Sequence, residues 1–502
     1  MPDPADRYAD WKAPQEDGEL LLWPKPAELF AHAAANNRLL NSAGDVLIQN
    51  TPLAELRRDT RRFLGFHDDH QLVFASGHQT ELHHPGVWAK NVLIDVAATK
   101  AGGIAAHFAV DTDAPKHLVM RFPGFAEPFT DDPALLEAPW AGLLLPPTPA
   151  HLQQLADRVA AATKAGTFQP AIAEFFSILR PLQLDAERLP AMLTAALHEF
   201  DWKLGLRYSA MLTSPIWHSP PYLAFVHHLL ANADRFAADY NAALRAYRVR
   251  HGIRTPGRPM PDLARKEDRC ETPFWRDDLT RGRRVRAWVE RSGEHWSISA
   301  GDDCLPLDPR ASADAAANAL LAWMRRNNLR LAPRALVLTI VLRLLAADQF
   351  VHGIGGGQYD QVADDVMHRH FGIDPPRFAV TTATLFWPEA AGRRRTSIPD
   401  IQQRGHRLRH SLLGREKRSL IEQIAAAPRK SVQRQTLFQE MRRRLDTAAA
   451  NHPALVAWEA ELHDASARII EERALFDREL FYPLQPRARL EQLIQQYRDL
   501  FT

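Results

Sequence analysis

Residues 71–113, QLVFASGHQTELHHPGVWAKNVLIDVAATKAGGIAAHFAVDTD, constrain this chain most: an apolar run, a polar loop, a helix-length segment and a second apolar run follow one another with few spare residues. Leu72 to Ala75 make a short buried-strand run, which Ser76 and Gly77 are expected to stop. Pro85 stands where the first turn of a helix can spare an N–H, and Gly102 and Gly103 end that helix near Lys100. The second run, Ile104 to Val110, finishes in Asp111-Thr112-Asp113, so two carboxylates should emerge beside the loop that carries His78, Gln79, His83 and His84. Units of this kind build α/β sheets, and open α/β sheets bind ligands where their strands end.

The whole chain sets the bounds. Its 502 residues, 46% hydrophobic and 24% charged, describe a soluble globular protein. That is enough chain for about two or three domains. A net charge of +2 argues for no particular partner. Cys270 and Cys304 are the only cysteines, which fits a reducing compartment and excludes a disulfide framework or a cysteine-rich metal site. The start, MPDPADRYADWK, has acidic residues and prolines where a secretory signal needs a basic start and an apolar core. The most apolar stretch, 335–347, is interrupted by Arg343 and falls short of the roughly 20 residues of a membrane span. The expectation is a cytoplasmic protein that does not engage a membrane.

Five segments are expected. Residues 1–140 hold short lead-in helices, the clearest at 24–36, and the first half of a Rossmann-like core; residues 141–254 read as an all-helical insert. Residues 255–311 form a small β-rich insert, whose runs at 283–290 and 294–300 alternate around a Ser292-Gly293 hairpin signal. Residues 312–396 return to the core, with a strand at 349–352, the glycine loop Gly353-Ile354-Gly355-Gly356-Gly357, a helix at 359–371 and a strand at 378–386. Residues 397–502 read as a long antiparallel helix pair, a coiled-coil hairpin turning at Asn451-His452-Pro453. No internal repeat is visible.

The glycine loop suits phosphate, because glycine lets the backbone approach while N–H groups and the helix dipole face the anion. It lacks the Lys-Ser/Thr ending of a P-loop, and a tight turn would use the same glycines. His78, His83 and His84 are three histidines within seven residues. They can hydrogen-bond phosphate, serve as acid or base near neutral pH, or bind a metal with Asp111 and Asp113; alternatively they bond only to loop carbonyls. No HExxH-like spacing supports the metal. Lys90, in the following helix, is a candidate phosphate contact. The tract 393–444 sets 15 Lys and Arg against four carboxylates. Such a tract can hold RNA or nucleotide. It lacks interleaved aromatics, and a solvated outer face on paired helices is favoured over nucleic acid.

The order of these parts resembles the cysteine-adding enzymes of bacillithiol biosynthesis. Ser76-Gly77-His78-Gln79, then Pro85 and Lys90, then Phe108 to Asp113, are similar to the family's stretch that opens Thr-Gly-Gln-Gln and ends in an acidic strand end. Gly353 to Tyr359, with Pro375-Pro376 after its helix, resembles the Gly-Gly-Pro-Gly-Glu stretch and the proline that follows it; Phe481-Tyr482-Pro483-Leu484-Gln485 fits the closing segment. His78 replaces the first Gln of the pair, Thr112-Asp113 stands for His-Asp, Gln358 stands near the family's Glu, and the β-rich insert has no counterpart. The resemblance implies a Rossmann-like nucleotide-binding core, a C-terminal coiled coil used in dimerisation, and addition of cysteine to a glucosamine-malate conjugate. Carried over, Ser76, Gly77, His78 and Gln79 line the first loop, Asp111 and Asp113 the acidic strand end, and Gly355, Gly356, Gly357 and Gln358 the second loop.

The expected function is therefore a ligase-like or nucleotidyl-transferring enzyme forming an amide on an amino-acid or amino-sugar substrate, with ATP or another nucleotide as cofactor and a homodimer built through the C-terminal helices. His78, His83, Asp111 and Asp113 are its candidate catalytic residues. Ser76, Gly77, Gln79, Lys90, Gly353, Gly355, Gly356, Gly357 and Gln358 are its candidate cofactor contacts. Two alternatives use the same residues: a non-catalytic nucleotide or RNA-binding protein, and a metal-dependent hydrolase built on the 78–84 loop.

Overall fold

Four consecutive buried residues, Val73 to Ser76, open the strand around which the main sheet is arranged. The computed structural model describes residues 11–164, 168–293, 295–393, 396–450 and 452–502, apart from the side chains of 292, 467, 468, 470 and 471. The fold is mixed α/β, and contacts divide it into two compact units, Met1–Leu385 with Arg478–Thr502, and Phe386–Asp477.

The main sheet of the first unit has six strands: β1 (Leu20–Trp23), β2 (Val73–Gln79), β3 (Ile104–Val110), β4 (Ser209–Leu212), β5 (Gln349–His352) and β6 (Phe378–Ala383). They lie in the order β1-β6-β5-β2-β3-β4. β2 to β6 run parallel and β1 pairs antiparallel on β6. From β2 the chain builds outward through β3 and β4, then crosses to the other side for β5 and β6. The change of side falls between β2 and β5, and the carboxyl ends of the parallel strands share one edge.

The helix α1 (Pro85–Ala101) joins β2 to β3 and is buried without a break from Pro85 to Ala98, which explains a sequence apolar on nearly every face. His84 caps it by accepting the Gly86 N–H, and Gly102 ends it at φ 62. At the opposite edge of the sheet, Asp348 ties β2 to β5. It accepts the Val73 N–H at 2.7 Å and pairs with buried Arg57 and Arg61. Arg343, the charge inside the apolar helix Ala335–Leu345, is buried between Asp360 and Asp364 and also donates to the Pro376 carbonyl. It is a structural cation, since a buried charge persists only when paired and hydrogen-bonded.

Several expectations are corrected. Ser76 and Gly77 do not stop their strand, which runs on to Gln79 because its partner β3 continues alongside it to Val110, whereas the pairing with β5 ends at Ser76. The lead-in contributes β1, and the segment read as all-helical contributes β4. Gly353 to Gly357 is not a loop: Gly353 is the N-cap of the helix α2 (Ile354–Val366), and the other glycines form its first turn. The β-rich insert is part of a five-stranded antiparallel sheet, Asp303–Leu307, His295–Ala300, Arg283–Ser292, Arg269–Asp278 and Leu329–Pro333 in spatial order, so it recruits a strand from beyond residue 311. Its hairpin turns at Gly293, φ 63, with residue 294 outside the described residues.

The second unit holds the helices Ile398–Ser411, Gly414–Ala426, Val432–Ala449 and Pro453–Leu475. The expected single hairpin over 397–502 is thus broken further, at Gly414 (φ 48) and Pro428, while Asn451 of the expected turn lies outside the described residues. The last helix, Arg487–Leu500, belongs to the first unit. Gly405 is required where Trp458 crosses it, since a Cβ there would overlap the indole, whose N–H donates to the Ile401 carbonyl at 2.7 Å. In the basic tract, Arg394 and Arg395 lie outside the described residues, and Arg404, Arg409, Arg443 and Arg444 are paired with carboxylates. No helix among the described residues is long and apolar enough to cross a membrane.

Candidate functional site

At the carboxyl edge of the sheet the last residues of β2 pair with β3, His78 opposite Ala109 and Gln79 opposite Val110. Ser76 is one layer below, wholly buried, donating to Asn91 Oδ1 at 3.0 Å with its oxygen 2.9 Å from His107 Nδ1. It is part of the wall below the strand end. Gly77 sits where a Cβ would lie 3.4 Å from the Phe350 ring, and its carbonyl accepts the Lys90 ammonium at 2.8 Å. Lys90 is thereby turned inward, under the strand end.

The histidines follow. His78 Nδ1 lies 3.3 Å from the Gln79 carbonyl and 3.2 Å from Glu81 Oε1, and His83 Nε2 lies 3.3 Å from the same carbonyl. The rings of His78 and His83 meet edge to face at 5.4 Å, and those of His83 and His107 at 5.8 Å. Burial, reinforced by Lys90, pushes His83 down to about 3. Burial and then Arg478 push His84 to about 3. His78 and His107 are likewise held well below the ordinary range, first by burial. Burial also lowers Lys90 to about 7 against the pull of Glu81, and raises Glu81 to about 8 against the pull of Lys90. Near pH 7 the imidazoles are neutral, so each offers one donor and one acceptor and none acts as a cation.

The acidic strand end divides its roles. Asp111 is buried and turned toward β4, accepting from Thr213 Oγ1 at 3.1 Å and the Ser214 N–H at 2.9 Å. It braces the strand ends. Asp113 stays with the histidine loop, accepting from Gln79 Nε2 and the Ala114 N–H. Between them the Thr112 carbonyl accepts from Arg284 of the second sheet at 2.7 Å.

β5 lies beside β2, with Val351 opposite Ser76, so His352 and the start of α2 leave the sheet next to Gly77. His352 Nε2 is fixed 3.0 Å from Asp360 Oδ2. Gly353 makes no side-chain cap hydrogen bond, and the first N–H groups of a helix have no partner within it. The glycines serve different ends. At Gly353 and Gly355 a Cβ would meet nothing within 4 Å; at Gly356 it would lie 3.0 Å from His352 Nδ1, and at Gly357 2.6 Å from Val380 Cγ2. Gly357 is thus a packing residue that lets α2 lie on β6, and half-buried Gln358 follows it in the helix. Gly353 and Gly355 leave the helix start open.

Sequence reasoning missed several residues here. Glu81 and His107 stand among the histidines without any motif to mark them. Arg478 comes from the far end of the chain, donating to Thr382 Oγ1 at 2.9 Å and to the Ala383 carbonyl at 3.1 Å at the end of β6. A cleft of about 360 Å³ beside His84 is lined by Leu82, His117, Val119, Arg121, Glu479 and Phe481. Among the described residues no three of His, Cys, Asp and Glu are grouped so as to hold a metal ion. No protein-family model matches the chain, and no curated protein sequence matches it.

Proposed function

We propose that this chain is a ligase-like or nucleotidyl-transferring enzyme that forms an amide on an amino-acid or amino-sugar substrate, with a Rossmann-like core that takes ATP or another nucleotide at the first turn of α2. One observation carries it: an uncapped, glycine-rich helix start leaves β5 beside the strand end that holds Lys90 and the histidines, where the sheet changes direction. Unpaired N–H groups and the helix dipole attract phosphate there, and the space around Gly353 and Gly355 admits it. The strand order, with β2 central and the crossover between β2 and β5, is the order in which Rossmann-like sheets place such a ligand.

A bound nucleotide supplies an activated phosphoryl or adenylyl group for a carboxyl. The chain's own part is to orient and to exclude water. Buried neutral imidazoles form the floor, Asp113 with Gln79 the rim, and Lys90 a cation that burial leaves ready to give up its proton near neutral pH. The likeness to the cysteine-adding enzymes of bacillithiol biosynthesis agrees with this arrangement, and we extend it to a homodimer formed through the helices of residues 386–477. The test is calorimetry with ATP, followed by mass spectrometry of reactions that pair ATP with carboxylic acids and free amines. Binding and an ATP-dependent amide support the proposal. A folded protein that binds no nucleotide overturns it, and binding without turnover favours the non-catalytic alternative.

A further inference from the structure

Two neighbouring helices, Pro149–Thr163 and Ile172–Asp185, carry a groove of about 550 Å³ between them. Helices that meet through large side chains interlock ridge into groove. Here Ala156, Val159 and Ala160 of the first helix stand across from Ile172, Ala173 and Phe176 of the second, and the small side chains leave the space open. The buried leucines of both helices, Leu152, Leu155 and Leu179, do not line it.

The lining is sorted by polarity. Every buried residue in it is apolar, and the polar ones, among them Asp157, Lys164 and Arg180, stand exposed or half-buried at the rim. A hydrocarbon chain laid on that floor leaves no buried group short of a hydrogen bond, and its transfer from water is favourable. From Ala156 to Lys164 the first helix carries the groove for about 12 Å, at a rise of about 1.5 Å per residue. The side chains of Lys164 and Arg180 have no ion-pair or hydrogen-bond partner among the described residues, whereas Asp157 already accepts from Gln153 Nε2 at 2.7 Å. Lys164 caps the carboxyl end of its helix, where the helix dipole offsets its charge. Arg180 is therefore the freer cation, and its planar fork matches a carboxylate.

We propose that this groove binds a single-chain amphiphile with an anionic head, a fatty-acid-like carboxylate, with the alkyl chain on the apolar floor and the head on Arg180. A cationic head would meet Arg180 and Lys164 and be repelled. The groove shares no lining residue with the site at the strand ends, so its occupancy stands apart from the nucleotide and ligase reading. The helix that lines it nonetheless braces the closing segment of the chain. Phe175, next to Phe176 of the groove, meets Phe481 edge to face at 5.1 Å, and the Ala171 N–H donates to the Gln485 carbonyl at 3.0 Å.

The test is calorimetry on the full chain at pH 7.5 with octanoate, decanoate and decyltrimethylammonium, each below its micelle concentration. Decanoate is expected to bind about fourfold or more tightly than octanoate, since each buried methylene strengthens binding about two- to fourfold. It is expected to bind about tenfold more tightly than decyltrimethylammonium. Ala173→Trp and Ala160→Trp each fill the groove from an exposed position and are expected to abolish binding. Arg180→Glu should erase the preference for the anionic head and keep the dependence on chain length. No decanoate binding at millimolar concentration, affinities indifferent to chain length or head charge, or binding unchanged by both tryptophans overturns the proposal. Two results would give the groove another occupant and overturn it as well: capture of the chain by phosphatidylglycerol vesicles without decanoate binding, and loss of self-association in light scattering of the tryptophan variants without decanoate binding by wild type. Where a tryptophan variant does not fold, wild type and Arg180→Glu decide.

Discussion

The backbone N–H of Tyr482 donates to the carbonyl of His83 at 2.9 Å, so a segment near the end of the chain pins the histidine loop that follows β2. The same Tyr482 stacks on Trp88 of α1 with ring centroids 4.8 Å apart, and its hydroxyl donates to Asp201 Oδ1 at 2.8 Å. Trp88 Nε1 and the Tyr208 hydroxyl complete the shell of Asp201, at 2.9 and 2.6 Å. Burial nonetheless raises the Asp201 carboxyl to about 7. The loop is held by this buried polar network in addition to its own hydrogen bonds.

Tyr482→Phe removes one donor from Asp201 and keeps the stacking surface. The expected loss is about 1 to 3 kcal/mol, the cost of leaving a buried polar group short of a partner. Urea unfolding at pH 7.5 should show a lower midpoint with an unchanged slope. An unchanged midpoint would mean that the loop is anchored elsewhere.

The glycines that open α2 should separate binding from stability. Gly355→Asp places a carboxylate among the free N–H groups in open space, so ATP binding is expected to disappear while the melting temperature stays near wild type. Gly357→Ala pushes a methyl group against Val380 and should destabilise the fold by roughly 1 to 3 kcal/mol. Calorimetry and thermal melts of the two variants together decide whether the first turn binds phosphate or merely packs.

The neutral histidines make stability depend on pH with a definite sign. His83 and His84 have folded values near 3, below the ordinary 6.5, so the unfolded chain takes up protons first as the solution is acidified. Their stabilising effect is complete above pH 6.5 and is lost as pH falls toward 3. At pH 5 each costs roughly 2 kcal/mol. Glu81, raised to about 8, acts in the opposite sense between about pH 4.5 and 8. Comparing wild type with His83→Gln at pH 7 and pH 5 cancels that term. The variant should lose less stability between the two pH values than wild type, and an equal loss would show that His83 is not held neutral.

Much of the central unit was legible because a strand buried on both faces must be a continuous apolar run. β2, β3 and β5 were visible for that reason, and Pro85 and Gly102 marked the ends of α1. β4 was hidden: Ser209-Ala210-Met211-Leu212 is short, begins polar and lies between long helical patterns, so only its pairing with β3 makes it a strand. The glycines after His352 read as a loop because glycine disfavours helix, yet close packing of Gly357 on β6 outweighs that preference. Lys90, Gln79 and Asp113 fall at the expected edge, and Ser76 lies behind it. His107 and Arg478 act through partners distant in the chain, which no local pattern announces, while Glu81 lies three residues from its partner His78 and is marked by no motif.

The second unit is expected to bring two chains together. Its helices leave Ile421 47%, Val432 79%, Phe438 46% and Val456 54% exposed, although Leu420 beside Ile421 is buried. In the sequence Leu408, Leu412, Leu413, Leu420 and Ile421 recur at helix-like spacings, but they do not line one continuous helix, because the helix breaks between Ser411 and Gly414. Uncovered apolar side chains favour association that salt does not weaken. Nucleic acid held by Arg407, Arg415, Arg418 and Arg429 would instead release counterions and loosen steeply as salt rises. Light scattering of the full chain should therefore give a dimer at both low and high salt, and the double variant Ile421→Asp with Phe438→Asp should be monomeric with its circular dichroism unchanged. A wild-type monomer at both salts, with tight and salt-sensitive binding of tRNA, would make this unit a nucleic-acid surface instead.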